Sequence, residues 1–415
     1  RGDYWFPDIR TLSGAMLMFV FVLYPYVYLL ARTAFLERAG GVLEAARTLG
    51  IGPWRAFFTV SLPLARPAIA AGVALALMET LADYGTVAYF AVNTFTTGIY
   101  RAWFSLGDRV ASAQLAAILL GFVLLLVAVE RITRGRARYH NTSNRHRPPP
   151  GRLRGGAALL ATLACLTPLA LGFLLPAGLL LRMALGDGDA QFGARFLTLA
   201  RNSLTLAGLT ALIAVTLAVL LAYSARLSKT LLAQALNRLV GLGYAVPGTV
   251  IAVGVLIPVT RLDNWLAGQW ESAFGSNPGL LLTGGIAALI YAYLVRFLAV
   301  ALQTVDASLS KITPSMDDAA RCLGLGQGAS LRRVHVPILR GSLFTAGLLV
   351  FVDVMKELPA TLVMRPFNFD TLATQAYTLA ADERLTEAST ASLAIVAVGL
   401  LPLIALSRQI TRTRK

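Results

Sequence analysis

Residues 44–67 read EAARTLGIGPWRAFFTVSLPLARP and lie between two strongly apolar stretches. The segment interrupts the apolar pattern with charged side chains, with two glycines and with three prolines. Small alanines allow close packing, Gly50 suits the left-handed position that ends a helix, and Pro63 blocks further helical bonding. The segment therefore predicts a short helix, a glycine stop and a second short helix that ends at the proline.

The same pattern returns 274 residues later as DAARCLGLGQGASLRRVHVPILRG, residues 318–341. No gap is needed, and Glu44 falls on the equally acidic Asp318. The residues that repeat are Ala45 and Ala319, Ala46 and Ala320, Arg47 and Arg321, Leu49 and Leu323, Gly50 and Gly324, Gly52 and Gly326, Val60 and Val334, Pro63 and Pro337, and Arg66 and Arg340. An ordinary interfacial loop could explain one copy, whereas two copies in register indicate a duplicated architecture with a shared function.

Composition places the chain in a membrane. Of 415 residues 56% are hydrophobic and only 14% are charged, with a mean hydropathy of +0.66 and a formal net charge of +16. A soluble domain of this length would carry more charge on its surface. Arginines gather at the ends of apolar runs and in one linker, as the positive-inside rule expects, so no nucleic-acid partner is predicted.

Nine apolar segments predict an all-α polytopic membrane protein, since a span needs about 20 apolar residues. An Arg/Pro-rich linker, residues 131–155, is predicted to be cytoplasmic together with both repeated segments. It separates a first half, residues 1–130 with three spans, from a second half, residues 156–415 with six. The predicted spans are 12–31, 68–90, 115–129, 156–181, 204–222, 239–259, 280–302, 343–364 and 391–406.

The repeated segments resemble the EAA loop of ABC importer permeases, although the second copy has Asp318 in place of Glu and Val336 in place of Leu. METLADYGTVAYFAVNTFTTGIYRAWF, from Met78, and FVDVMKELPATLVMRPFNFDTLATQAYTLAADERL, from Phe351, look like the ferric-iron permeases of that family. The resemblance covers essentially the whole chain. It implies two pseudo-symmetric type I, MetI-like halves of six spans each, so we expect the first half to be truncated at its amino end.

The resemblance also implies partners: two copies of a cytoplasmic ABC ATPase, a periplasmic solute-binding protein and the lipid bilayer of a bacterial inner membrane. ATP and Mg²⁺ would be bound by the ATPase, because this chain has no G-x-x-x-x-G-K-[ST] motif. We expect no bound cofactor and no catalytic residue here. The residues expected to contact the ATPase are Glu44, Ala45, Ala46, Gly50, Pro63, Asp318, Ala319, Ala320, Gly324 and Pro337.

Four acids inside the spans follow the same repeat. Glu79 and Asp83 lie four residues apart, on one face of a helix, and the offset of 274 leads from them to Asp353 and Glu357. Carboxylate oxygens suit a hard cation, so these acids are a hypothesis for the translocation path, with transient contact to ferric ion and no stable metal site. Alternatively, Lys356 neutralises one acid, or some of the acids cap helices near the outer surface.

Other functions remain open at this stage. A fused ABC permease for thiamine, a polyamine or a sulfate-like anion would show the same loops, although the acidic pairs favour a cation over an anion. A secondary transporter driven by an ion gradient would also show repeats and membrane acids, but it would not need two EAA loops in register. The stretch GLGYAVPGTVIAVGVLIP, residues 241–258, indicates either a helix broken beside a pathway or close helix packing.

Overall fold

The computed structural model describes residues 8–36, 45–46, 48–134, 153–186, 193–228 and 230–413. All regular secondary structure in these ranges is helical, which confirms the predicted all-α class. The helices are α1 Leu12–Leu36, α2 Pro53–Ala82, α3 Gly85–Tyr89, α4 Phe95–Tyr100, α5 Arg109–Arg134, α6 Gly156–Gly186, α7 Ala194–Leu227, α8 Leu231–Gly241, α9 Gly248–Phe274, α10 Ala287–Leu309, α11 Pro314–Cys322, α12 Gln327–Met355, α13 Pro359–Met364, α14 Leu372–Ala381 and α15 Leu385–Thr413.

Eight of these helices, in the part of the chain that the structure describes, are long and apolar enough to cross a membrane: α1, α2, α5, α6, α7, α9, α10 and α12. The ninth predicted span corresponds to α15, whose apolar stretch Leu385–Leu400 is shorter. None of the residues in the most apolar stretch of α6 is buried against the rest of the chain. Such an apolar exterior is stable in hydrocarbon, where the helix satisfies its own backbone groups.

Several predicted span ends are wrong. The predicted spans 68–90 and 343–364 each contain a break, because α2 ends at Ala82 and α12 ends at Met355. The predicted span 239–259 instead begins at Gly248 and continues to Phe274. Apolar composition runs through these breaks without interruption, so hydrophobicity alone could not place them.

One compact unit contains residues 1–94 and 118–179. Within it, α2 packs closely against α1: a Cβ placed on Gly72 would lie 2.7 Å from the Cα of Val27. Helix α6 also packs on α1, since a Cβ on Gly172 would lie 2.2 Å from the carbonyl oxygen of Phe21. Glycine at both positions therefore permits the close approach of the helix backbones that is common in membrane proteins.

The other compact unit contains residues 95–117 and 180–415, so the boundary between the units falls inside α5. The core of this second unit is formed by α7, α10 and α12 and is rich in alanine. Small side chains at these positions let three helices pack with little intervening space. The division by compactness differs from the predicted halves 1–130 and 156–415, which describe the sequence repeat and stay a prediction. The core alanines are Ala207, Ala211, Ala214, Ala218, Ala222, Ala288, Ala292, Ala301 and Ala346.

Candidate functional site

The two repeated segments, called here the first and second coupling segments (residues 44–67 and 318–341), contain matching glycine stops. Gly50 has a φ of +75° and Gly324 a φ of +76°, so both adopt the left-handed conformation predicted from the sequence. A Cβ at either position would meet nothing within 4 Å. Glycine is therefore favoured at these positions by its backbone conformation and not by lack of space.

The hydrogen bonds around the glycines also repeat with the offset of 274. The alanines that accept them include Ala46 and Ala320, which are both buried at 4% exposure. Glu44 and Arg47 lie outside the described residues. The matching bonds are Leu49 N–H to Ala45 O and Leu323 N–H to Ala319 O, both 3.1 Å, and Ile51 N–H to Ala46 O and Leu325 N–H to Ala320 O, both 3.0 Å.

The helix after each glycine stop does not end at the proline, so that prediction was wrong. One π-helical turn, Phe57–Ser61 or Leu331–His335, precedes each proline, and the helix then continues as part of α2 or α12. Each proline occupies the first turn of the α-helical stretch that follows, where its missing N–H is tolerated. The coupling segments are therefore directly continuous with membrane spans.

Apolar side chains are exposed next to both glycines. Leu49 is 78% exposed, Leu323 is 80% exposed and Trp54 is 76% exposed. The side chain of Asp318 is also exposed, and its ion pair with Arg321 is loose, at 3.8 Å. Exposed apolar groups beside polar ones on a segment predicted to be cytoplasmic form a surface of the kind that binds another protein.

The second acid of each predicted path pair caps a short helix. Asp83 accepts hydrogen bonds from the Val87 N–H and the Thr86 hydroxyl, both at 3.1 Å, at the start of α3. Glu357 accepts from the Ala360 N–H at 2.9 Å and the Thr361 N–H at 3.0 Å, at the start of α13. Both carboxylates therefore satisfy backbone donors that are exposed where a span is interrupted. The acids therefore cap helices, as the alternative anticipated, although Glu357 does so while buried rather than in water near the outer surface.

Glu357 has a second role, because it is buried beside an arginine. Its Oε1 lies 3.6 Å from Nη1 of Arg296, and its exposure is 5%. A Cβ on Gly248 would lie 2.6 Å from the same Oε1 and 3.0 Å from Arg296 Nη1. Gly248 thus lets α9 approach this ion pair, which accounts for one glycine of the stretch 241–258.

The remaining predicted path acids have different settings. Asp353 forms an ion pair with Lys356 at 3.0 Å, as the predicted alternative anticipated. Glu79 is half-buried on α2, in the other compact unit. No group of three or more metal-ligating side chains occurs among the residues that the structure describes. The hypothesis that these four acids line a path stays a prediction.

Three functional candidates were missed by sequence reasoning. They are Asp317, Arg226 and His335, which are in contact at the second coupling segment. Arg226 and His335 are more than a hundred residues apart in the sequence. The only available signal was that His335 occupies the position of Ser61 in the repeat.

Comparison with known proteins agrees with this geometry. Residues 5–138 match the family described as binding-protein-dependent transport system inner membrane component. Over these residues the chain is similar to the inner membrane components of binding-protein-dependent transport systems, and its eight long apolar helices indicate a multi-pass inner membrane protein.

The names of individual relatives give different transported substrates. The chain is 27% identical over 403 residues to the Fe(3+)-transport system permease protein FbpB 2 of Haemophilus influenzae, which covers 93% of this chain and 74% of that protein. It is 36% identical over 146 residues to the molybdenum transport system permease protein ModB of Escherichia coli K12, which covers 32% of this chain and 63% of that one. A bacterial ABC transporter involved in the import of alginate has a structural similarity of TM-score 0.49 at 19% identity, over 62% of this chain and 96% of that chain.

Replacing Glu357 by Gln is expected to destabilise the protein more than replacing Asp353 by Asn. The first change leaves the buried Arg296 without its counter-charge and weakens the cap of α13, at a cost of about 2–4 kcal/mol. The second removes a carboxylate paired with an exposed lysine, at a cost of under about 1 kcal/mol. Thermal unfolding of the detergent-solubilised variants measures the difference, and equal shifts in Tm would contradict the structural role of Glu357.

Proposed function

We propose that this chain is the permease subunit of an ABC importer for ferric iron. The observation that carries the proposal is the similarity to the Haemophilus ferric permease, which extends over 93% of this chain. The molybdenum permease is more identical but matches only 32% of the chain. A similarity that extends over nearly the whole chain is better support for a shared substrate than one that covers about a third of it.

The proposed mechanism assigns hydrolysis to another subunit. Two copies of a cytoplasmic ABC ATPase, with ATP and Mg²⁺, bind the two coupling segments, and a periplasmic binding protein delivers the ion. Because each coupling segment continues into α2 or α12, closure of the ATPase dimer would move a span directly. The two states would differ in access to one side of the membrane, and the energy would come from different ATPase contacts in each state.

An oxyanion importer is the second candidate. The molybdenum relative favours it, and so does Arg296, since a buried guanidinium beside Glu357 offsets the negative charge that would attract a cation. Oxyanions such as molybdate and sulfate are bound by arginine and backbone N–H groups. The two candidates therefore predict opposite selectivity for the sign of the transported ion.

Uptake into proteoliposomes distinguishes the two candidates. The complex of permease, ATPase and binding protein is expected to accumulate ferric ion only with ATP, and a tenfold excess of molybdate is expected to leave that uptake unchanged. The control replaces ATP by a non-hydrolysable analogue. ATP-dependent uptake of molybdate but not of iron would favour the oxyanion importer, and uptake driven by an ion gradient without ATP would favour a secondary transporter.

The path acids are part of the same proposal, and Glu79→Gln is their clearest test. Asp83 and Glu357 cap helices, so changes there disturb structure as well as charge. Glu79 lies within α2, before the helix end, and Glu79→Gln keeps its shape while it removes the charge. Ferric uptake is expected to fall about tenfold if the carboxylate binds the ion during passage. Normal uptake at normal expression would remove Glu79 from the path.

Coupling is tested by changing both glycine stops together. Replacing Gly50 and Gly324 by valine is expected to reduce ligand-stimulated ATP hydrolysis to near the unstimulated rate, since a left-handed conformation costs a β-branched residue about 1–2 kcal/mol at each site. Asparagine at both positions is the matched control, because it tolerates this conformation. If valine and asparagine behave alike, the conformation of the glycines is not what coupling requires.

A further inference from the structure

Asp317, on α11, contacts an arginine and a histidine from two other helices. Its Oδ2 accepts hydrogen bonds from Nε of Arg226 at 3.0 Å and from Nη2 at 2.7 Å. Its other oxygen, Oδ1, lies 2.7 Å from Nε2 of His335. These three residues are called the Asp317 cluster. Both carboxylate oxygens are thus used, and the partners come from two different membrane spans, α7 and α12.

Arg226 connects three helix ends through one guanidinium. Besides binding Asp317, it donates from Nη1 to the carbonyl oxygen of Leu309 at 3.0 Å, at the end of α10. It also donates from Nη2 to the carbonyl oxygen of Ile312 at 2.9 Å, in the turn before α11. The last carbonyls of α10 have no partner within the helix, so a cation satisfies them well. Arg226 therefore fixes the turn from α10 to α11.

His335 is completely buried in the π-helical turn of α12. Its Nδ1 lies 3.1 Å from the carbonyl oxygen of Ser330, and its Nε2 faces Asp317. A carbonyl oxygen can only accept, so the Nδ1 contact is a hydrogen bond in a tautomer that carries the proton on Nδ1, whereas Nε2 is close to Oδ1 without forming a hydrogen bond. The ring also packs against Tyr223 of α7, with the centroids 5.1 Å apart. The Tyr223 hydroxyl donates to the carbonyl oxygen of Gln327 at 3.0 Å, which is a direct hydrogen bond between α7 and α12.

The charge of Asp317 is well compensated. Burial on its own would raise the pKa of Asp317, but the hydrogen bonds and charge of Arg226, with the proximity of His335, outweigh it and lower the pKa. The ionised carboxylate contributes stability above the ordinary carboxyl pKa of about 3.9, and this contribution is lost as pH falls through the lowered value. Asp317 is therefore ionised at neutral pH and accepts the hydrogen bonds of Arg226 as a carboxylate.

The first coupling segment does not carry this cluster. At the offset of 274, the positions of Asp317 and His335 are occupied by Leu43 and Ser61. The repeat therefore does not preserve the residue type at these two positions. Residues that the repeat does not preserve are not required by the shared backbone conformation, which points to a role particular to the second half.

We propose that Asp317 is a positioning residue that makes α11 move together with α7 and α12. The inference rests on the proposed function, in which an ATPase binds the second coupling segment. Movement of α11 would reach α7 through Arg226 and α12 through His335. Without Asp317, α11 could shift while the spans stay in place, and ATP would be hydrolysed without moving the ion.

The variant Asp317→Asn tests this in the complete complex reconstituted in proteoliposomes. The amide keeps the shape but loses one acceptor oxygen and the charge. We expect assembly and unstimulated ATP hydrolysis to continue, while ions transported per ATP hydrolysed fall about tenfold. Asp317→Glu, which keeps the charge, is expected to restore much of that ratio. The matched control is Asp306→Asn, at an exposed aspartate on α10, with a ratio within about twofold of the parent complex.

If Asp317→Asn transports as many ions per ATP hydrolysed as the parent complex, the proposal is overturned. An equal loss of transported ions per ATP in Asp306→Asn would also overturn it. A spin label on the exposed Cys322, at the end of α11, supplies a measurement that needs no ATPase. With Cys165 replaced by serine, the label is expected to become more mobile in Asp317→Asn than in the parent permease. Unchanged mobility would overturn the proposal even if the variant fails to assemble. If the parent complex shows no ATP-driven uptake, the proposed function fails, while label mobility still decides whether Asp317 holds α11.

Discussion

Every backbone N–H and C=O group in hydrocarbon must form a hydrogen bond within the protein. In this chain the spans can be interrupted only where side chains supply those hydrogen bonds. Two long helices, α2 and α12, end before the apolar stretch of sequence ends. A new short helix, α3 or α13, begins a few residues later. The N–H groups exposed at each restart bind a carboxylate, Asp83 or Glu357. An acid in a membrane span is costly, and here part of that cost is offset by donors that would otherwise be unpaired.

Glu357 combines several structural contacts in one residue. It caps α13, faces Arg296 and is approached by α9 through Gly248. A carboxylate with these partners is positioned and largely neutralised, so its availability to a passing cation is lower than the sequence pattern indicated. Its counterpart Asp83 makes the equivalent cap from a shorter side chain. The repeat therefore preserves the position of an acid while the surroundings differ between the halves.

The same contrast applies at the cytoplasmic end. Backbone features of the coupling segments repeat closely, including the left-handed glycines, the hydrogen bonds that end the first helix and the π-helical turn before each proline. The residues of the Asp317 cluster do not repeat, because Leu43 and Ser61 stand in the sequence where the second half has Asp317 and His335. If both segments bind identical ATPase subunits, as proposed, they would still connect differently to their own spans.

The amino-acid sequence by itself determined the class of the protein, the number of spans within one and the conformation of Gly50 and Gly324, since these depend on local composition, spacing and backbone freedom. It also revealed the repeat that relates the coupling segments and the acids. Only the tertiary structure decided where α2 and α12 end, why α9 begins at Gly248 and which cations face Glu357 and Asp317. Arg296 and Arg226 are distant in the chain from the acids that they contact, and no local pattern records which charges folding brings together.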